Sequence, residues 1–396
     1  MPIPRGSYRI VILGEDRETE RRRLVSELEI AARKSGGARL QVKISQDPTV
    51  LNRVGPGDPT TAVVFLGGPT AAASEALRQA ADKCLQHFIP TLPVFDPTLG
   101  TLQSQLPESL LGLNAVKWVQ DASASVLAGK TLRLLGITER DRRIFISYRQ
   151  TDAAGLADQL RKTLIDVGWD VFLDRFSIPP GVDFQQRLDR ELAEKSFVLL
   201  LETPTAADSP WVEHEIAFAQ QRRLGMMALT LPDTRPAELY PAIEPSSRYQ
   251  LDDTDVTGSA PEYVLASTSL ERIVDEIEQR HAAAYSLRRE SAMLEAGDEL
   301  RRCGYEIKAL GEWALIAEKA DQREIVFVTV RSPEASDLRI AHQLRESQRP
   351  HRTPTRGWIV HPTEDIDSDR SSLIHWLSRN RKVAATPVML LAGRVR

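Results

Sequence analysis

From Tyr8 onward the chain alternates short apolar runs with longer amphipathic stretches, and it does so twice in succession. Such alternation calls for strands and helices in turn, and therefore for a parallel sheet covered on both faces. In the first pass strands are expected at 8–13, 40–44, 62–66, 91–95 and 115–119, and helices at 17–34, 72–87 and 123–135. A charged run, 138–143, reads as a linker. The pattern restarts at Arg143, with strands at 144–147, 170–174, 197–201, 226–231 and 249–251 and helices at 153–167, 183–194 and 211–224. Gly168 suits a helix C-cap. A last helix, from 269 to about 289, reads as a connector.

The final segment has another rhythm. After a helix ending near Arg302, strands are expected at 305–310, 313–318 and 324–331. A helix (335–346), a strand (357–361), a helix (371–379) and a closing strand (387–391) follow. This describes a small α+β domain. With 396 residues, the chain divides into three: 1–138, 141–283 and 286–396.

Composition narrows the function classes. A formal net charge of −4 gives no reason to expect a general nucleic-acid or membrane-surface binder. No apolar run approaches the roughly 18 residues of a membrane span, and the N-terminus lacks a secretory pattern. Cys84 and Cys303 have no partner spacing, so no disulfide framework and no metal site is expected, and a cytoplasmic setting fits.

Four motifs stand in order in the second region. They are Phe145-Ile146-Ser147-Tyr148-Arg149, then Val171-Phe172-Leu173-Asp174, then Ser177-Ile178-Pro179-Pro180-Gly181-Val182-Asp183-Phe184, then Ser209-Pro210-Trp211-Val212-Glu213-His214-Glu215-Ile216. Together they resemble a TIR domain of the NAD-cleaving bacterial type, similar also to the animal axon-degeneration TIR enzyme. The resemblance covers a little over a third of the chain. It implies a flavodoxin-like fold, a parallel five-stranded sheet with helices on both faces. It also implies NAD+ as substrate rather than cofactor, with Glu215 of Trp-x-x-x-Glu as the catalytic carboxylate. Tyr148, Arg149, Asp174, Phe184 and Trp211 would be nucleotide-pocket residues. Ser177, Ile178, Pro179, Pro180 and Gly181 would form the BB loop through which copies assemble. Where the animal enzyme has a second Arg after Tyr-Arg, this chain has Gln150.

The chemistry is arguable from the residues themselves. Breaking the nicotinamide–ribose bond expels a neutral group, so no acid need protonate it. The ribose gains oxocarbenium character, which a carboxylate stabilises. Trp211 and Glu215, four apart on a helix, share a face; the plain alternative is a core aromatic beside a solvated acid. Glu213 projects elsewhere, and His214 reads as a surface histidine. Gly129-Lys130-Thr131 echoes a phosphate loop but lies in a helical stretch. Arg149 suits a pyrophosphate or a surface ion pair equally, and Asp174 either a pocket or a loop cap.

The flanks carry weaker signals. Pro-Thr-Ala-Ala follows the third strand of both α/β regions, in Leu66–Ser74 and Leu201–Ser209, as if one unit were used twice. The first region lacks every catalytic mark, and Glu75 would reach the place of Glu215 only after a five-residue deletion. It reads as a silent TIR-like or flavodoxin-like domain. The last region resembles a restriction-endonuclease fold of the PD-(D/E)xK, Mrr type, through Gly304-Tyr305-Glu306-Ile307, Trp313-Ala314-Leu315-Ile316-Ala317 and Val326-Phe327-Val328-Thr329-Val330-Arg331. Ala314 and Thr329 stand where metal-binding groups are expected, so the resemblance implies lost cleavage. Arg331, Arg339, Arg345, Arg349 and Arg352 form either a nucleic-acid contact or a solvated basic face. The whole reads as an assembly-activated NADase, a bacterial defence or cell-death effector, forming homo-oligomers through its TIR domains and independent of membranes. Its trigger, a nucleotide, nucleic acid or protein, would be sensed by a flanking domain. The alternative is a non-catalytic TIR adaptor.

Overall fold

The computed structural model describes residues 8–36, 42–53, 59–119, 122–137, 141–173, 192, 195–232, 234–235, 243–311, 313–320, 322–348, 355–362, 368–379 and 382–395. Of the sequence-based expectations, Asp174, Ser177, Ile178, Pro179, Pro180, Gly181, Phe184, Arg349, Arg352 and, but for Leu192, the helix at 183–194 lie outside these residues.

The first sheet is parallel and five-stranded: β1 (Tyr8–Gly14), β2 (Val42–Ser45), β3 (Thr60–Leu66), β4 (Thr91–Phe95) and β5 (Val116–Lys117), in the order β2-β1-β3-β4-β5. Every residue of β3 is buried, as expected of a strand covered on both faces. Around it lie α1 (Glu18–Gly36), α2 (Pro69–Ala73), α3 (Glu75–Gln86) and α4 (Ala122–Leu134). The single helix expected at 72–87 breaks at Ser74, whose hydroxyl caps α3 by accepting from Leu77 N, 3.4 Å away. Gly129, Lys130 and Thr131 lie inside α4, where Thr131 bonds back to Leu127 O.

The second sheet repeats this order. Its strands are β6 (Arg143–Ser147), β7 (Asp170–Phe172), β8 (Phe197–Glu202), β9 (Gly225–Thr230) and β10 (Arg248–Gln250), arranged β7-β6-β8-β9-β10 and all parallel. A ribbon of β11 (Val256–Thr257) and β12 (Val264–Leu265) follows. The helices are α5 (Gln150–Asp166), α6 (Pro210–Gln221) and α7 (Ser267–Arg302). The connector reading of 269–289 is met, because α7 runs unbroken for 36 residues.

The linker reading of 138–143 is not met at its described end. Arg142 is 1% exposed, donates to Val167 O at 2.9 Å, pairs with Glu278 at 2.6 Å and lies over the Trp169 ring. Asp141 accepts from Tyr285 Oη, and its carbonyl accepts from His281 Nε2 at 2.9 Å. A charge run tells nothing of burial when each charge finds a bonded partner inside.

In the third sheet, β13 (Glu306–Ala309), β14 (Ala314–Lys319) and β15 (Gln322–Val328) are antiparallel. β16 (Thr355–His361) and β17 (Val383–Pro387) then add in parallel, in sequence order. The helices are α8 (Ala335–Ser347), α9 (Ser368–Ser378) and α10 (Leu391–Val395). The closing strand expected to begin at Pro387 instead ends there, since proline offers no donor to continue a ladder.

The contacts group the chain into two compact units. One gathers the chain up to Ala32, from Gln41 to Gly136 and from Ser286 on; the other holds Arg33–Leu40 and Ile137–Tyr285. Within the first, Gly311 O accepts from Thr91 N at 2.9 Å and Leu134 O from Trp313 Nε1 at 2.8 Å, joining its two sheets. Among the described residues no helix is long and apolar enough to cross a membrane.

Candidate functional site

In a doubly wound sheet, ligands sit beyond the carboxyl ends of the strands where the winding reverses. In the second sheet that point lies between β6 and β8, because the chain moves from β6 out to β7 and returns to β8 on the other side. The segments leaving these two strands are Ser147-Tyr148-Arg149 and Thr203-Pro204-Thr205.

Asp152 ties the two together. Its Oδ2 accepts from Thr203 Oγ1 at 2.6 Å and from Thr205 Oγ1 at 2.5 Å, and its Oδ1 from Thr151 at 2.9 Å. Burial pushes this carboxyl up, but the three hydroxyls and the nearby Arg149 outweigh it and hold it below the usual carboxylate range. Arg149 Nη1 donates to Thr205 O at 2.9 Å and reaches Asp208 at 3.4 Å, so part of its fork is spent on the protein. Tyr148 is buried and belongs to the core with Leu156 and Leu201.

Helix α6 carries the remaining candidates. Ser209 caps it and Pro210 opens it, where a missing N–H costs nothing. Its buried stripe is Val212, Glu215, Ile216 and Ala219, the spacing of a face turned to the core. Glu215, only 3% exposed, thus stands where the helix period would put an apolar side chain. Glu213 is exposed, as its different face requires. Trp211 is 49% exposed, so the reading of a core aromatic beside a solvated acid is reversed on both counts. His214 is half-buried, its ring 6.4 Å from that of Phe218. At the end of β8, Glu202 is fully buried, accepting from Thr230 Oγ1 at 2.6 Å and pairing with Arg248 at 3.2 Å.

The structure therefore brings Arg149 to the loop that leads into the helix of Trp211 and Glu215. Sequence reasoning missed Asp152, Thr203 and Thr205 as parts of this site. The Thr-Pro-Thr directly after an apolar strand, with an acid three residues past Arg149, was the available signal.

These features define a doubly wound α/β domain with an acid-bearing helix after its third strand. Residues 144–259 match the family model described as TIR domain, and this part of the chain is a TIR domain. No curated protein matches the chain. Among solved structures that match is proximal thread matrix protein 1 of the mussel byssus, 10% identical over 70% of this chain and 96% of that one. Its TM-score of 0.22 leaves the likeness without bearing on fold or function.

Proposed function

We propose that the TIR domain cleaves NAD+ at the nicotinamide–ribose bond, with Glu215 as the catalytic carboxylate. The observation that carries this reading is the burial of Glu215 on the core-facing stripe of α6. A carboxylate held there is costly for folding alone and valuable beside a developing positive charge. As the C–N bond breaks, its electron pair leaves with nicotinamide, which departs neutral. The ribosyl cation faces the Glu215 carboxylate until water adds at the anomeric carbon and gives up a proton. Arg149, whose contact with Thr205 uses Nη1, suits the pyrophosphate; Trp211, half-exposed at the start of the helix, suits a base. Tyr148, Asp174 and Phe184 complete the pocket in this reading. The BB loop, Ser177 to Gly181, joins copies of the domain and gates activity by assembly, as befits a defence or cell-death effector. Nicotinamide release from NAD+ by the purified chain tests the proposal. A chain that assembles but releases none is an adaptor.

The flanks take silent roles in the same account. In the first sheet the helix capped by Ser74 buries Ala80, Ala81 and Cys84, and Glu75 is exposed beside Arg78. The acid is missing, as in a TIR-like repeat that has no catalysis to perform. The third sheet runs three antiparallel strands and then, after a helix, a parallel strand, an order that supports the reading of a PD-(D/E)xK-like region. In that reading Ala314 and Thr329 would fall at the metal-binding positions, and neither offers a carboxylate. Arg331 grips Asp337 through two bonds of 2.9 and 3.1 Å, and Arg345 is buried against Thr355 O. Both are therefore internal, and of the described candidates for a basic face Arg339 is the exposed one.

A further inference from the structure

The third sheet holds a cavity of about 690 Å³ at the start of β15, β16 and β17, within the range of small-ligand sites. Its chemistry is divided. Glu324 lines it with a side chain 1% exposed, and the Trp358 indole, Val383 and Ala384 supply apolar wall. Arg356, Lys382 and His375 stand around it, exposed and basic. Glu324 Oε2 accepts from Trp358 Nε1 at 2.8 Å, and Oε1 faces Arg356 Nη2 at 3.1 Å. Each oxygen keeps a second lone pair.

We propose that this cavity binds a small guanine nucleotide, with the base against Trp358, its N–H edge on Glu324 and its phosphate among Arg356 and Lys382. A carboxylate only accepts, so it selects a base edge that presents adjacent donors. Guanine offers N1–H beside its 2-amino group. Adenine and cytosine each set an amino group beside an acceptor nitrogen, whose lone pair a carboxylate repels. Burial pushes the Glu324 carboxyl above its usual range, with Trp358 and Arg356 opposing, so two further donors would favour the ionised form. Arg356 and Glu324 face each other across β15 and β16, and the Arg356 side chain is 46% exposed, free to turn toward a phosphate as the base arrives. An indole wall adds stacking that any base can use, which leaves discrimination to the acid. A merely structural cross-strand pair accounts for Glu324 and Arg356 but not for a basic rim around an apolar hollow.

Binding here is independent of any NAD+ cleavage in the TIR domain, and calorimetry on the full chain tests it directly. GMP should bind one to one, with AMP and CMP at least about tenfold weaker and inorganic phosphate giving no saturable heat. Glu324→Gln should cost about tenfold or more in GMP affinity. The rim variant Lys382→Ala, exposed enough to leave folding intact, should weaken GMP while leaving guanosine unchanged. No GMP binding, equal binding of GMP and AMP, or GMP affinity unchanged in both variants would each overturn the assignment.

Discussion

Glu215 and Ala80 occupy the same step of two helices built alike. Each lies six residues past the serine that caps its helix, Ser209 or Ser74, and each serine lies eight residues past a leucine of the preceding strand, Leu201 or Leu66. The buried residues follow in register: Ala80, Ala81 and Cys84 in one helix, Glu215, Ile216 and Ala219 in the other. No gap is needed, so the acid in the helix beside the second sheet answers to an alanine in the helix beside the first. Glu75 answers to Pro210, outside on the first turn. Burial also pushes the Cys84 thiol up to about 11, so that buried stripe offers no thiolate nucleophile.

Asp152 is expected to act on catalysis through position. It fastens Thr203 and Thr205, which begin the loop leading to α6. Replacing it with Ala should cost about 1–3 kcal/mol of stability and lower nicotinamide release about tenfold. Asp152→Asn keeps an acceptor oxygen and should lose less. Urea unfolding and turnover measured side by side check this; full activity in Asp152→Ala would remove its positioning role.

Stability should fall in mild acid because of His281. Burial pushes this imidazole down to about 4 from an ordinary 6.5. Its Nε2 donates to Asp141 O, and Nδ1 has no hydrogen-bond partner among the described residues. The folded state holds the ring neutral, whereas the unfolded chain takes up a proton below about 6.5. The contribution is therefore fully present above 6.5 and lost as pH falls through 4, about 3 kcal/mol in all. Urea midpoints at pH 7.5, 5.5 and 4.5 should drop in that order, and less steeply in His281→Gln. Identical slopes in both proteins would contradict the assignment.

Much of this was legible in the sequence because sheet cores declare themselves. Runs such as 62–66 and 197–201 are long enough in apolar residues to fix a central strand. The motif Trp-x-x-x-Glu placed its helix within a few residues of the observed start, Pro210. The reading failed where long-range partners decide. Arg142 looked like linker and is internal, because Glu278 and Trp169 lie far along the chain. The closing strand expected at 387–391 lies instead at Val383–Pro387, where its ladder with β16 forms. Asp152 carried only the faint signal of an acid three residues past Arg149, because its two threonine partners lie about 50 residues on.

The region of the third sheet should cut neither DNA nor RNA. Ala314 is fully buried at the head of β14, and Arg331, near where a catalytic lysine would fall, is locked onto Asp337. Supercoiled plasmid incubated with Mg²⁺ or Mn²⁺ should stay intact. Nicking that EDTA abolishes and Glu215→Gln retains would reverse this reading.

Activity should depend on assembly. In the proposed BB loop the sequence sets Pro179 and Pro180, a residue type that restricts φ, before Gly181, a type that does not, a combination suited to a shaped edge that would meet a different surface on the next copy. Turnover per chain should therefore rise with protein concentration, and Gly181→Pro should lower it without unfolding the domain. Constant turnover per chain from a monomer, unaffected by Gly181→Pro, would mean that each pocket is complete within one chain.

The most direct test of the account sets wild type against Glu215→Gln at matched, high concentration with NAD+, following nicotinamide and the ribosyl products by mass. Glutamine keeps the size of the buried side chain and removes its charge, so the variant should fold and associate as wild type does. Wild type is expected to release nicotinamide, and Glu215→Gln to release at least about a hundredfold less. Equal release by the two proteins, or none from wild type under any assembling condition, would contradict Glu215 as the carboxylate of an NAD-cleaving TIR domain.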